Sequence, residues 1–257
     1  MEFFYAIVLG VVEGVTEFLP VSSTGHLILA ERLLALPPSE FWKSFIVAIQ
    51  LGAILAVGAL YWRQLFLSRA VFTRVVVAFL PTAVIGLFLY PFIKEYLLGN
   101  TTVVLWALAV GGAAIVLFER VYREPWQAVE QVSRMSYRQA LIIGLAQAVA
   151  VVPGVSRAAA TIVGGLLAGL KRRTIVEFSF LLAIPTMAAA TGLDLLETGT
   201  AFSVSEWSVL GMGFVVSFVF ALAAVRWLLR YISRHTFTAF GWYRLALAAF
   251  YALFLLL

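Results

Sequence analysis

The chain has 257 residues, of which 63% are hydrophobic and 12% are charged, whereas a soluble protein is about half apolar and a quarter charged. This composition excludes a soluble globular fold, and the continuous apolar runs exclude a transmembrane β-barrel, whose strands would alternate. The net charge of +5 is what basic cytoplasmic loops give a membrane protein, so we expect no nucleic-acid partner, and the lack of cysteine excludes disulfides and thiol catalysis. We therefore predict an all-α polytopic membrane protein.

Six apolar stretches are each long enough to cross a bilayer as a transmembrane helix. They are residues 41–62, 75–93, 101–118, 175–195, 207–227 and 237–257. Two further apolar regions, 3–36 and 137–170, are too long for one crossing, and the segments L-P-V-S-S-T-G-H and V-P-G-V-S-R-A-A-A-T interrupt them. We interpret each region as a re-entrant helical hairpin, which a membrane protein tolerates only where its tip is buried or lines a cavity.

The two interrupted regions resemble each other, which predicts an internal duplication. An offset of 133 to 135 residues relates Gly10 to Gly144, Glu13 to Gln147, Pro20 to Pro153, Ser23 to Ser156 and Ser44 to Ser179. A single membrane domain, 1–257, then consists of repeat one, 1–122, and repeat two, 134–257. Because each repeat has three crossings and one hairpin, the second repeat enters from the opposite side, as in an inverted-topology repeat.

The basic residues predict the orientation of the chain in the membrane. Thirteen arginines and lysines fall in the segments 62–75, 119–138, 170–174 and 226–235, whereas only Arg32, Lys43 and Lys94 fall on the other side. The positive-inside rule places the four basic segments in the cytoplasm. Hairpin one then opens outward and hairpin two opens to the cytoplasm, so the two tips meet inside the bilayer.

Two glutamates in the first hairpin are candidates for metal binding or proton transfer. Glu13 and Glu17 lie four residues apart, so a helix carries both carboxylates on one face. A carboxylate at membrane depth needs a cation, a proton or a partner. We predict that the pair binds a divalent cation, Mg²⁺ or Ca²⁺, or moves protons. The alternative is that one carboxyl is protonated and only hydrogen-bonds to a neighbouring helix.

The tip of hairpin one carries a run of polar side chains. Pro20 breaks the helix, and Ser22, Ser23, Thr24 and His26 follow it. A serine hydroxyl is expected to cap the second half-helix, and capping alone would explain Ser22. Ser23 and His26 lie three residues apart on a first turn, which favours a nucleophile and its base.

The tip of hairpin two carries a permanent positive charge. Pro153 and Gly154 break the chain, Ser156 is expected to cap the next half-helix, and Arg157 and Thr161 lie one turn apart. An arginine can hold a phosphate with two parallel hydrogen bonds, and the half-helix N-terminus adds free N–H groups. The alternative is a structural salt bridge from Arg157 to Glu13 or Glu17, and the two roles can alternate.

The groups at the two tips together suit an anionic head group, with a divalent cation bridging the carboxylates and a phosphate. We expect this head group to be bound by Arg157, the hydroxyls of Ser22, Thr24, Ser156 and Thr161, and the backbone at Gly154. Three other polar residues of the spans, Gln50, Glu177 and Arg244, are interpreted as structural.

The two tip motifs carry a resemblance to a known family. E-G-V-T-E-F-L-P-V-S-S-T-G-H, from Glu13 to His26, and P-G-V-S-R-A-A-A-T, from Pro153 to Thr161, resemble the undecaprenyl-diphosphate phosphatases of bacterial inner membranes, which are of the bacitracin-resistance type. The likeness extends over essentially the whole chain. The second motif of the family usually reads S-R-S-G-A-T, so Ala158 and Ala159 depart from it, and any role of a hydroxyl at 158 is absent here.

The resemblance implies an activity and a place for it. A member of this family hydrolyses undecaprenyl diphosphate to undecaprenyl phosphate and inorganic phosphate at the outer face of the inner membrane. This reaction recycles the lipid carrier for cell-wall synthesis. Its polyprenyl diphosphate substrate and the surrounding lipids are then the expected partners, and the sequence is also compatible with a homodimer.

Within this hypothesis, Arg157 holds the diphosphate and Glu13 and Glu17 bind the cation or move protons. Ser23 or His26 supplies the nucleophile or the base, and direct attack by water is equally compatible with the sequence. The rival hypothesis is a transporter or flippase for an anionic lipid, because broken helices in inverted repeats are also a transporter architecture. The fold alone does not choose between the two, whereas the motifs favour the enzyme.

Overall fold

The structure is a computed structural model that describes residues 1–37, 39–97, 100–198 and 203–256. These residues form ten α-helices: α1 (Glu2–Thr16), α2 (Ser23–Leu33), α3 (Glu40–Leu67), α4 (Arg69–Phe92), α5 (Thr101–Val121), α6 (Tyr137–Ala148), α7 (Arg157–Leu167), α8 (Arg172–Thr198), α9 (Val204–Ile232) and α10 (Thr238–Leu256). A π-helical turn, Ile93–Leu97, extends α4, and 3₁₀ turns lie at Val132–Arg134 and Val149–Val151. Within the described ranges the only β pairing is an isolated bridge between Val129 and Leu170.

Five of the described helices are long and apolar enough to cross a membrane, which confirms a multi-pass membrane protein. They are α3, α4, α5, α8 and α9. Each coincides with one of the predicted spans, with ends that differ by a few residues. Helix α10 coincides with the sixth predicted span, 237–257, whose last residue lies outside the described residues.

The two interrupted apolar regions form two pairs of short, packed helices, α1 with α2 and α6 with α7. Each second helix begins after a serine with a positive φ, which is 72° at Ser22 and 69° at Ser156. The Ser22 hydroxyl accepts a hydrogen bond from the Gly25 N–H (3.4 Å), and the Ser156 hydroxyl accepts one from the Ala159 N–H (3.2 Å). These two serines are structural equivalents.

The predicted alignment of the repeats is therefore shifted by one residue at the tips. Ser22, not Ser23, occupies the place of Ser156, because both residues have the same backbone conformation and the same capping role. Ser23 then corresponds to Arg157, the first residue of α7. The sequence pairing of Ser23 with Ser156 was wrong because one additional residue, Gly154, lies between the proline and the cap in the second tip.

Helix packing follows a paired pattern. Helix α1 packs against α9, and α6 packs against α4 in the same way, while α3 packs against α8 and α5 against α10. Buried aromatic rings also pack between the helices. For example, the ring centroids of Phe18, just after α1, and Phe180, in α8, lie 5.4 Å apart. This packing brings the start of α2 and the start of α7 together in the interior of the bundle.

The four basic segments lie at one end of the molecule. Glu119 at the end of α5 accepts a hydrogen bond from Arg172 Nη2 through its Oε2 atom (2.8 Å) and one from the Phe237 N–H through its Oε1 atom (3.0 Å). Lys171 pairs with Glu130, and Arg74 of α4 donates to the carbonyl of Met135. These contacts join the first three segments to one another and to Phe237, which follows the fourth segment by two residues.

Candidate active site

The two tips face each other across a cavity of about 280 Å³. Residues from both tips and from α3 and α8 line it: Glu17, Ser22, Ser23, Thr24, Gln50, Ala150, Val152, Pro153, Gly154, Ser156, Arg157, Met187 and Ala190. The wall thus combines the charged and hydroxyl groups of the tips with small apolar side chains. Ten predicted site residues can be compared with this wall, and seven of them lie on it, whereas Glu13, His26 and Thr161 do not.

Glu17, which ends α1, is the centre of the site. Its Oε1 accepts a hydrogen bond from Arg157 Nη2 (3.2 Å) and its Oε2 accepts one from the Ser23 hydroxyl (2.5 Å). Both ion-pair partners are nearly buried, with 7% of the Glu17 side chain and 11% of the Arg157 side chain exposed. The salt bridge that the sequence analysis gave as the alternative role of Arg157 is therefore formed, and it is made with Glu17 and not with Glu13.

Arg157 is held from several sides, and one of its donor atoms has no partner in the described part of the chain. Its Nη1 donates to the Ser179 carbonyl of α8 (3.0 Å), and its guanidinium lies 5.9 Å from the centre of the Phe18 ring. Its Nε is buried and has no partner among the described residues. A guanidinium with an unused donor on a cavity wall is suited to bind an additional anion.

Thr161 lies behind Arg157 and not on the cavity wall. Its hydroxyl lies 2.7 Å from the Ser179 hydroxyl and 3.0 Å from the Arg157 carbonyl. The side chain is completely buried. We predicted Thr161 to bind the ligand, whereas the structure places it where it supports Arg157 and Ser179.

Glu13 lies one turn before Glu17 and is completely buried. Neither of its carboxylate oxygens has a hydrogen-bond partner among the described residues. An unpartnered carboxylate at this depth is costly unless it is protonated or binds a cation. The two predicted glutamates therefore differ: each carboxylate oxygen of Glu17 accepts a hydrogen bond, and neither oxygen of Glu13 does so within the described ranges.

His26 is turned away from Ser23, so the expected hydrogen bond between the two is not formed. Its Nδ1 lies 2.7 Å from the Ser22 carbonyl, and its Nε2 lies 2.7 Å from the Tyr243 hydroxyl of α10. A carbonyl only accepts hydrogen bonds, so Nδ1 carries a proton, and in a neutral ring Nε2 then accepts from the Tyr243 hydroxyl. The carboxylate of Glu17, and not the ring of His26, contacts the Ser23 hydroxyl.

Arg244, which the sequence analysis treated as structural, holds the two tips together. It is completely buried in α10, and its guanidinium donates to the carbonyls of Gly154 (3.0 Å) and Val155 (3.0 Å) in tip two and Pro20 (3.5 Å) in tip one. Two further hydrogen bonds reach the carbonyls of Ala107 and Leu108 in α5. The sequence did offer a signal for this role, which is the single arginine inside an apolar span, because such a charge needs partners within the protein.

The remaining predicted residues lie on the wall. Thr24 is exposed to the cavity, and Gly154 has a φ of 93°, a conformation that glycine adopts without strain. Gln50 of α3 also lines the cavity, although the sequence analysis treated it as structural.

The position equivalent to Glu13 in the second helix pair is neutral. Gln147 is buried, and its amide donates to the hydroxyls of Thr82 (2.9 Å) and Thr186 (3.1 Å). The two helix pairs thus share a backbone arrangement but differ in charge, with the carboxylates in one pair and the arginine in the other.

The arrangement is suited to bind and cleave a phosphate compound. Two helix N-termini direct their first-turn N–H groups and positive dipole ends toward the cavity region, and Arg157 adds a full positive charge. Glu17 is in contact with a hydroxyl that it can deprotonate. Among the described residues, no cluster of three or more His, Cys, Asp or Glu side chains exists that could hold a metal by itself. A cation at this site would therefore need ligands from the substrate or from water.

Comparison with known proteins gives a consistent family assignment. The family described as Bacitracin resistance protein BacA matches residues 6–250. The chain is 47% identical to the undecaprenyl-diphosphatase of Aquifex aeolicus, covering 98% of each chain. It is 50% identical to that of Thermus thermophilus, covering 98% of this chain and 97% of the relative, and 46% identical to that of Wolinella succinogenes, covering 99% of each.

The Arg157 site makes a first prediction about ligand binding. Arg157→Lys keeps the positive charge but loses the planar fork that can bind two phosphate oxygens. We expect the dissociation constant for a non-hydrolysable prenyl diphosphonate to rise about tenfold or more, which corresponds to ~1.4 kcal/mol. Isothermal titration calorimetry in detergent measures it. Arg173→Lys, at an exposed arginine of α8, is the control, and an unchanged dissociation constant in Arg157→Lys would contradict the role of the guanidinium.

Proposed function

The chain belongs to the family described as Bacitracin resistance protein BacA, and we propose that it is an integral membrane phosphatase. Its substrate is undecaprenyl diphosphate, which it hydrolyses to undecaprenyl phosphate and inorganic phosphate. The curated relatives bear the name undecaprenyl-diphosphatase and align over nearly their full length, which supports this activity. A transporter or flippase is not favoured by any of these names.

The single observation that carries the proposal is the position of Glu17 between a hydroxyl and a guanidinium. Ser23 donates to one of its oxygens and Arg157 to the other, on the wall of one cavity. This is the geometry of a base beside an oxygen nucleophile and an anion-binding group beside that base. An anionic head group that reaches Arg157 therefore also reaches the base.

The proposed reaction cleaves the bond between the terminal phosphorus and the bridging oxygen. Arg157 binds the terminal phosphate, and its positive charge stabilises the charge that develops there. Glu17 accepts the proton from the attacking oxygen, which belongs to Ser23 or to a water molecule that takes its place. Undecaprenyl phosphate leaves with the bridging oxygen. If Ser23 attacks, water then hydrolyses the phosphoserine and restores the hydroxyl.

We propose that Glu13 and Glu17 hold a divalent cation, Mg²⁺ or Ca²⁺, together with the substrate. The unpartnered oxygens of Glu13 and the carboxylate of Glu17 fit this role, because such cations prefer oxygen ligands and Mg²⁺ is often held by one or two carboxylates plus phosphate. When bound, the cation would neutralise phosphate charge and polarise the phosphorus–oxygen bonds. Glu17 would then contact both the cation and Arg157.

We propose that six helices cross the membrane and that the pairs α1–α2 and α6–α7 are re-entrant hairpins in an inverted-topology repeat. The paired packing, α1 on α9 and α6 on α4, supports two equivalent units, 1–122 and 134–257. The four basic segments at one end support a cytoplasmic position for that end. Hairpin one then opens to the outer face of the bacterial inner membrane, where the lipid carrier would be recycled for cell-wall synthesis.

A homodimer stays a prediction from the sequence.

The activity is tested by incubating the purified protein in detergent with a long-chain prenyl diphosphate and measuring phosphate release. We expect one phosphate per substrate molecule, a prenyl monophosphate product, and activity that depends on added Mg²⁺ or Ca²⁺ after treatment with a chelator. Absence of phosphate release with and without either cation would reject the proposed function.

The glutamate pair makes a prediction about cation dependence. Glu13→Gln and Glu17→Gln keep the size of each side chain but remove the charge that a hard cation needs. We expect the half-saturating cation concentration for phosphate release to rise about tenfold or more in each, with the larger effect at Glu17, which lines the cavity. Glu40→Gln, at an exposed glutamate of α3, is the control. Unchanged cation titrations in both variants would show that the pair is structural.

Single cysteines distinguish a site that opens to one side from a transport pathway. The chain has no cysteine, so Thr24→Cys and Val152→Cys place one thiol on the cavity wall at each tip. We expect an impermeant thiol reagent to label both from the outer face and neither from the cytoplasm. Ser205→Cys and Ser233→Cys, near the two ends of α9, are the controls for each side. Labelling of both cavity positions from the cytoplasmic side would favour transport instead.

A further inference from the structure

We propose that Arg244 is a positioning residue for the phosphate site. It fixes the peptide between Val155 and Ser156 so that the Ser156 N–H is directed into the cavity as a phosphate donor. This inference rests on the proposed function, because it assigns the diphosphate group to the N-terminal end of α7.

Arg244 connects tip one, tip two and α5 through hydrogen bonds. Its five hydrogen bonds go to backbone carbonyls of tip one, tip two and α5, and none goes to a carboxylate. Arg244 is not among the residues that line the cavity. It therefore acts on a ligand through the backbone that it holds, and its positive charge stays uncompensated by any hydrogen-bonded acid.

The direction of the Ser156 N–H follows from peptide geometry. All peptide bonds of the described chain are trans, so the N–H of each peptide unit points opposite to its carbonyl. The Val155 carbonyl points to Arg244 Nη1 at 3.0 Å, and the Ser156 N–H in the same unit consequently points away from Arg244. Ser156 and Arg157 both lie on the cavity wall, so this N–H is directed to the side where Arg157 binds an anion.

An arginine is needed for this arrangement because only its planar group has five donors. The guanidinium contacts Gly154 through Nη2 and Val155 through Nη1, so two neighbouring carbonyls are held by one rigid fork. The φ of 69° at Ser156 is an unfavourable backbone conformation that the surroundings must maintain. When the fork is displaced, we expect this peptide to relax and the Ser156 N–H to turn out of place.

A substitution at Gly111 can displace the guanidinium of Arg244 without removing it. A Cβ atom at Gly111 of α5 would overlap Nη2 of Arg244 and lie 2.9 Å from its Cζ. Nη2 is the atom that binds Ala107 and Gly154, so Gly111→Ala forces it away from tip two. The substitution otherwise favours a helix, since alanine has a higher helix propensity than glycine.

The experiment measures kcat/KM for phosphate release by purified, monodisperse Gly111→Ala protein, together with its melting temperature. Gly86→Ala in α4 is the matched control, because a Cβ there meets nothing within 4 Å. We expect kcat/KM to fall by about tenfold to a hundredfold in Gly111→Ala, with KM raised, because a misplacement of about 1 Å can cost roughly a hundredfold. Gly86→Ala should stay within twofold of the parent.

Arg244→Lys is the second variant, and Arg172→Lys is its control at a partly buried arginine that does not line the cavity. A purely structural role would lower the melting temperature in both variants and leave kcat/KM of the folded protein within twofold of the parent. We expect that pattern for Arg172→Lys only, and a tenfold or larger loss for Arg244→Lys. If Arg244→Lys yields no folded protein, Gly111→Ala decides.

Parental kcat/KM in folded Gly111→Ala would overturn the inference while the activity of the parent still supports the proposed function. No phosphate release by the parent and by Gly86→Ala would instead reject the proposed function, and the inference with it.

Discussion

One constraint governs the interior of this protein: every polar group at membrane depth must have a partner within the protein. Two broken helices place free backbone groups, two glutamates and two arginines close to one point. Glu17 and Arg157 neutralise each other there, and Arg244 donates its hydrogen bonds only to backbone carbonyls of the described chain. These contacts replace the water that would otherwise solvate the broken backbone and the buried charges.

The sequence was sufficient for the parts of the fold that local pattern determines. Continuous apolar runs predicted the long helices, and Pro20 and Pro153 with the serines that follow predicted the two breaks. The meeting of the tips followed from the repeat and from the basic residues, and the ion pair between Glu17 and Arg157 agrees with it. Each of these features is encoded by neighbouring residues or by the composition of a segment.

The features that were missed depend on contacts between distant segments. His26 binds Tyr243, which is 217 residues away in the chain, so spacing within tip one did not exclude a pair with Ser23. Arg244 binds carbonyls, which every residue has, and no motif marks them. Thr161 has the right spacing from Arg157 for the cavity wall, but the α8 residue Ser179 draws its hydroxyl away.

The neutral cluster around Gln147 has a consequence for the energetics of the whole molecule. A duplicated scaffold with identical halves could exchange between two conformations of equal energy by swapping the roles of its halves. Here one half carries buried carboxylates, whereas the other carries an amide bonded to Thr82 and Thr186. The two conformations would therefore differ by the cost of moving charge into an environment built for neutral groups. This difference in charge would favour one of the two conformations over the other.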